Sequence, residues 1–259
     1  MIGSITSQVD VAQLVLYAFW IFFALLLFYL RREDRREGYP LVEEGVTPRK
    51  TSDSTLWIPE PKVFKLADGR SVFAPAASRA DDRPLRAEPI SKWFGSPLEP
   101  TGNPLLAGVG PGSYAQRTDA PDVTLTGTPR IVPLRSDASF HLESRDPDPR
   151  GFNVFGGDNQ IGGVVRDVWI DRAEVIIRYY EVEVAGTSPA KRVLVPAGLA
   201  VVNGRARNVS VESILSTQFA EVPTTRYPDQ VSLLEEEKLF GYFGAGKLYA
   251  EPSREEPLR

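Results

Sequence analysis

The sequence predicts a single N-terminal transmembrane α-helix followed by a mainly β domain on the cytoplasmic side. Three observations carry this expectation. Residues 11–30, VAQLVLYAFWIFFALLLFYL, contain no charge and one amide, Gln13. Arg31, Arg32, Arg35 and Arg36 follow at once, whereas no Lys or Arg precedes the run. From about residue 135 onward, short apolar stretches alternate with Gly-, Pro- and Asn-Gly-containing turns.

At about 1.5 Å per residue the apolar run spans roughly 30 Å, the thickness of a bilayer's hydrocarbon core. Asp10 occupies the position of a helix N-cap. A cleaved signal peptide would begin with positive charge and end its shorter apolar core in small residues, neither of which is seen. A helix buried in a soluble core would be shorter or show a polar face. The arginine asymmetry directs the C-terminal body to the cytoplasm. Glu33, Asp34 and Glu37 interleave with the arginines. Local ion pairing along a solvated extension and contact with lipid phosphates are both open to this segment. Tyr29, Arg31, Arg32, Arg35 and Arg36 are the candidate membrane-surface residues.

The chain is expected to comprise an N-terminal tail (1–10), the transmembrane helix (11–31), an extended membrane-surface strap (32–104) and a globular domain with a C-terminal tail (105–259). Prolines recur through the strap, and Trp57, Phe64, Phe73, Trp93 and Phe94 give it more aromatic side chains than disorder usually carries. Its order is expected to come from partner proteins. Val63–Leu66 and Ser71–Ala74 read as short strands about an Asp68-Gly69 turn. Beyond it, Gly163–Ile170, Val175–Val184, Arg192–Pro196, Leu199–Val202 and Asn208–Val211 read as strands of a closed or rolled sheet. Within Val175–Val184, Tyr180, Val182 and Val184 alternate with Glu181 and Glu183. Asn203-Gly204 signals a hairpin. Glu212–Ala220 and Glu235–Phe243 read as short helices, and the stretch from Glu251 as a frayed tail.

With no cysteine among 259 residues, disulfides, thiolate catalysis and Cys-ligated metals are excluded. One histidine, His141, rules out multi-His metal sites. A net charge of −4 gives no reason to expect nucleic-acid binding. The Gly108–Gly112 stretch lacks the Lys-Ser/Thr of a phosphate loop and reads as a structural turn. Asn208-Val209-Ser210 matches a glycosylation acceptor, without meaning on the cytoplasmic side. The richest chemistry is a set of carboxylates, Asp167, Asp171, Glu174, Glu181 and Glu183, interleaved with Arg166, Arg172 and Arg178. A solvated, charge-balanced sheet face and a proton-conducting set with raised pKa values both fit this pattern.

Several stretches together resemble one family along essentially the whole chain. They are YLRREDRREGYPL (29–41), PEPKVF (59–64), PTGNPL (100–105), GVGP (108–111), DPDPRG (146–151), DVWID (167–171), RYYEVE (178–183), LEEEK (234–238) and GKLYA (246–250). The chain resembles the H subunit of the purple-bacterial photosynthetic reaction centre. The resemblance implies a periplasmic N-terminus, a single pass through the intracytoplasmic photosynthetic membrane and a cytoplasmic PRC-type β-barrel core over roughly 135–225. It implies a non-enzymatic accessory subunit that caps the L and M subunits, shields the quinone sites and supports proton transfer to the secondary quinone. Bacteriochlorophyll, bacteriopheophytin, quinones and non-haem iron are then expected in the partner subunits and none on this chain, with antenna subunits and lipids as further partners. The family's proton-path positions fall on Glu174, Asp171, Arg178 and Glu236. Surface histidines of some members are replaced here by Thr124-Leu125-Thr126-Gly127-Thr128, which leaves Asp119 or Asp122 as candidates for proton uptake. The alternatives are a membrane-tethered PRC-barrel assembly module without a photochemical role, and a membrane-anchored hydrolase, disfavoured by the lack of a nucleophile–base constellation.

Overall fold

A computed structural model describes residues 4–6, 9–36, 42–43, 49–50, 59–67, 69–74, 83–93 and 95–255. Trp57, Asp68, Phe94 and the 37–41 part of the helix-exit motif lie outside the described residues. The chain forms two compact units, Met1–Asp82 with Lys92–Ser96, and Arg83–Ser91 with Pro97–Arg259.

In the first unit, β1 (Ser4–Thr6) pairs with β2 (Val9–Asp10) and leads into α1 (Val11–Glu33), followed by a 3-10 turn over Asp34–Arg36. The Asp10 carboxylate accepts from the Ala12 N–H at 3.0 Å, which is the expected N-cap. The helix is long and apolar enough to cross a membrane, and its large apolar side chains are exposed. The Gln13 amide donates to the Tyr17 hydroxyl at 2.7 Å, so the one amide of the span has a partner on its own helix. β3 (Val42–Glu43) pairs with β4 (Arg49–Lys50), and β5 (Lys62–Lys65) with β6 (Ser71–Ala74). Gly69 supplies the positive φ of +84° that the second hairpin requires. Arg36 donates to the Glu60 and Ala74 carbonyls at 2.6 and 3.1 Å and grips Glu33, which also pairs with Lys62. The chain itself occupies the Arg36 guanidinium, whereas Arg31 and Arg32 remain exposed.

The second unit takes in the C-terminal part of the expected strap. There β7 (Ala87–Pro89) pairs with β8 (Leu98–Pro100), and Arg83 stacks on the Tyr114 ring at 4.4 Å. Seven strands follow: β9 (Ile131–Pro133), β10 (Asn153–Gly156), β11 (Ile161–Asp171), β12 (Ile176–Val184), β13 (Arg192–Pro196), β14 (Val201–Asn203) and β15 (Asn208–Val211). They form one sheet in the order β13-β12-β11-β10-β15-β14, and β9 pairs with the far end of β11. Every pairing is antiparallel except β10 with β15. The core gathers Val154, Val165, Val168, Trp169, Tyr179, Val182, Val193, Ile214, Phe219, Tyr242 and Phe243. Each such side chain contributes about 1.5–3 kcal/mol of burial.

Strict alternation fails in the central strands. Asp167 to Asp171 and Tyr179 to Val182 are buried at consecutive positions, because both faces of the sheet are covered there. Glu181, expected on the polar face, is only 3% exposed. The hairpin of β14 and β15 closes through four residues, Gly204–Arg207, rather than a two-residue Asn-Gly turn. Asn203 accepts from the Ala206 N–H at 3.0 Å, and Arg207 takes the positive φ of +51°. Ala197–Leu199 is a 3-10 turn ahead of β14, and the first expected short helix is a 3-10 helix over Ser216–Glu221.

The second expected helix is longer than its apolar pattern indicates: α2 spans Leu233–Tyr249. Ser232 and Glu235 form a capping box at its start. Its glycines admit close packing rather than ending it. A Cβ on Gly112 would meet the Ala245 Cβ at 2.9 Å, and one on Gly244 would meet the Pro111 carbonyl at 2.6 Å. The Gly108–Gly112 stretch is thus a packing surface for α2. The C-terminal stretch does not fray at Glu251. Arg254 donates to the Glu212, Ser213 and Gly246 carbonyls at 2.9–3.2 Å, and the last of these also accepts the Ala250 N–H that caps α2.

Candidate functional site

The β11–β12 turn, Arg172 to Val175, builds the centre of the site. Asp171 ends β11 with its side chain wholly buried. One carboxylate oxygen accepts from the Ala173 and Glu174 N–H groups at 2.9 and 3.0 Å, which shapes the turn. Arg130, just ahead of β9, approaches both oxygens at 3.0 and 2.9 Å, and Arg178 on β12 approaches at 3.1–3.2 Å. Burial opposes the charge on Asp171. The donors from Arg130, the turn and Arg178 outweigh it and hold the carboxyl down at about 2. The shift at Asp171 thus runs downward, opposite in direction to the raised pKa of the proton-conducting alternative.

Glu174 pairs with Arg130 and, at 2.7 Å, with Arg178, and its side chain is half-exposed at the tip of the turn. Beside it Val175 holds a φ of +56° with 69% exposure, a strained conformation for a β-branched residue. Asp122 reaches Arg130 at 3.3 Å and joins this network. Asp119 accepts from Ser232 and Arg226 instead. These hydrogen bonds hold its carboxyl below the usual range, and it serves the start of α2.

Tyr179 follows Arg178 on β12, and its hydroxyl donates to the Glu236 carboxylate at 2.6 Å. Burial pushes the Glu236 carboxyl up, and the Tyr179 hydrogen bond and the charges of Arg178 and Arg117 only partly offset this. The structure thus brings Asp171, Glu174 and Arg178 into direct contact, whereas Glu236 bonds to Tyr179 and feels Arg178 only through its charge.

The remaining carboxylates of the expected cluster divide away. Arg135 bridges buried Asp167 and Glu181 at 2.9 and 2.7 Å. Glu181 also accepts from the Trp169 indole and Arg192, each at 2.9 Å. Glu183 pairs with Arg166 at 2.7 Å, and Arg172 with Asp137 at 3.2 Å. Sequence reasoning missed Arg130, Arg135 and Tyr179. The arginines reach the cluster only through the pairing of β9 with β11, and no local spacing announces it. His141 is exposed and lines a cleft of about 430 Å³ with Arg150 and several acids, among them Asp137, the partner of Arg172. Among the described residues no three His, Asp or Glu side chains converge as metal ligands.

Two family models match the chain: the photosynthetic reaction centre H-chain N-terminal region over residues 3–136, and the PRC-barrel domain over residues 142–217. The second covers β10 through β15, so the sheet described above is a PRC-barrel domain. The first takes in the apolar helix and runs to Ser136, just past β9, which makes this a membrane-anchored protein. It implies association with the reaction-centre L and M subunits. The chain belongs to the H-subunit family of the photosynthetic reaction centre.

Proposed function

We propose that this subunit caps the cytoplasmic face of the L and M subunits, keeps bulk water from the quinone sites and passes protons toward the secondary quinone. In this reading the N-terminus is periplasmic, and the arginine asymmetry around α1 supports that orientation. Pigments, quinones and non-haem iron belong to the partners. Antenna subunits and lipids adjoin the span, whose apolar side chains are exposed.

The observation that carries the reading is the state of Glu174. It is a half-exposed carboxylate presented at a turn tip on a frame of Asp171, Arg130 and Arg178. Adding electrons to a quinone places negative charge in a low-dielectric pocket, where uncompensated charge is expensive. A carboxylate held at the rim of such a pocket can take up and release the compensating proton.

The test is Glu174→Gln in the assembled complex, read by absorbance after two successive flashes. The amide preserves shape and cannot carry the proton. The proton-linked second electron transfer should slow more than the first, and tenfold slowing corresponds to about 1.4 kcal/mol in the barrier. An unchanged second-flash rate across the neutral pH range would assign Glu174 to surface solvation and leave the tethered assembly module as the better reading.

A further inference from the structure

We infer that Tyr179 is a positioning residue whose hydroxyl holds Glu236 as the exchangeable proton store of this site. The inference rests on the proton-delivery reading and assigns roles within it. Three consecutive glutamates open α2, and the structure gives each a different task. Glu235 closes the capping box on the Ser232 N–H at 2.8 Å and accepts from the Arg226 N–H at 2.6 Å. Glu237 faces Arg117 at 3.7 Å and the Ala115 N–H at 3.4 Å. Glu236 alone of the three turns to Tyr179.

The phenol is well placed to fix that carboxylate. Tyr179 is 1% exposed in the middle of the core, with the Phe240 ring 6.1 Å away. The capping box fixes the first turn of α2, so both partners of the 2.6 Å bond sit on rigid elements. Arg178 from β12, Arg117 and Asp122 from the segment ahead of β9, and Glu237 on α2 complete the charged surroundings. Burial and the neighbouring Glu236 charge push the phenol far above its usual range, so it remains protonated and donates without exchanging its proton. A proton reaching the pair therefore lands on Glu236, turning carboxylate to carboxylic acid, and leaves from there. Asp171, with up to six N–H contacts on its oxygens, has no comparable freedom.

The test uses assembled complexes carrying Tyr179→Phe, Glu236→Gln or Glu174→Gln, with the second-flash rate followed against pH. Phenylalanine keeps the ring in the core and removes only the hydroxyl that favours the charged carboxylate. The pH at which the rate begins to fall should therefore rise by about one unit. Glu236→Gln should erase that inflection. Uniform slowing at every pH in Tyr179→Phe, or an unmoved inflection beside a slowed Glu174→Gln, would overturn the positioning role while leaving proton delivery intact. Parent-like profiles in both glutamate variants would overturn the delivery reading itself, and this inference with it.

Discussion

Asp171→Asn tests whether the acid–arginine frame contributes to folding as its geometry indicates. The wild-type carboxyl is held at about 2 against an ordinary value of 3.8. At 1.36 kcal/mol per unit, that shift corresponds to about 2 kcal/mol. Arg130 and Arg178 are 25% and 38% exposed, and solvent screening of their charges trims the figure to about 1–2 kcal/mol. The folded pKa lies below the unfolded one, so this stability is fully present above about pH 4 and drains away as the pH falls toward 2. Asparagine keeps one oxygen for the Ala173 and Glu174 N–H groups and loses the charge. Its melting temperature at neutral pH should fall by about 3–6 °C, and the gap to wild type should close at acid pH. The assay is thermal unfolding of the full chain in mild detergent, followed by near-ultraviolet circular dichroism of buried Trp169. Equal melting at neutral pH, or a gap that persists unchanged in acid, would refute the assignment of Asp171 as an ionised anchor.

Three further outcomes follow from the same structure. Arg135→Met leaves buried Asp167 and Glu181 without their shared cation and should cost about 1–3 kcal/mol, reduced from the fully buried case because Arg135 is 40% exposed; an unchanged denaturation midpoint would contradict it. Gly112→Ala drives a methyl into Ala245 and should destabilise the domain by about 1–3 kcal/mol, with looser protection of α2 in hydrogen exchange; parent-like exchange there would count against the close packing. Protease added to sealed, cytoplasm-side-out vesicles should digest the body beyond Arg36, and protection in that orientation would reverse the proposed topology.

The features legible in the sequence are those that local pattern controls. An uncharged run of the right length and an Asp at its head specify α1 and its cap. Short β-branched and aromatic runs bounded by turn residues specify β11, β12, β13 and β15. Asp171, Glu174 and Arg178 could be grouped because a single turn joins them. The burial of Glu181 was not legible, because alternation assumes one wet face and the sheet here is covered on both. The Tyr179–Glu236 bond was not legible either, since it joins a strand to a helix 57 residues away. Nor were the roles of Arg130 and Arg135, which depend on a three-residue strand too short to leave a periodic signature. The full length of α2 was hidden by glycines that ordinarily mark helix ends and here make room for a neighbouring loop.

The short strand β9 also bears on how such a protein can change over time. The stretch matched as the H-chain N-terminal region ends at Ser136, and the stretch matched as the barrel begins at Leu142. Yet the first stretch supplies β9 to the barrel's sheet, Arg130 to Asp171 and Arg135 to Asp167 and Glu181. Two segments that look like interchangeable modules thus share one set of charges. A barrel exchanged for that of a relative would inherit an arginine pattern made for other acids, and the mismatch would strand charge in the interior. Positions 130 and 135 are therefore expected to vary in concert with 171, 167 and 181.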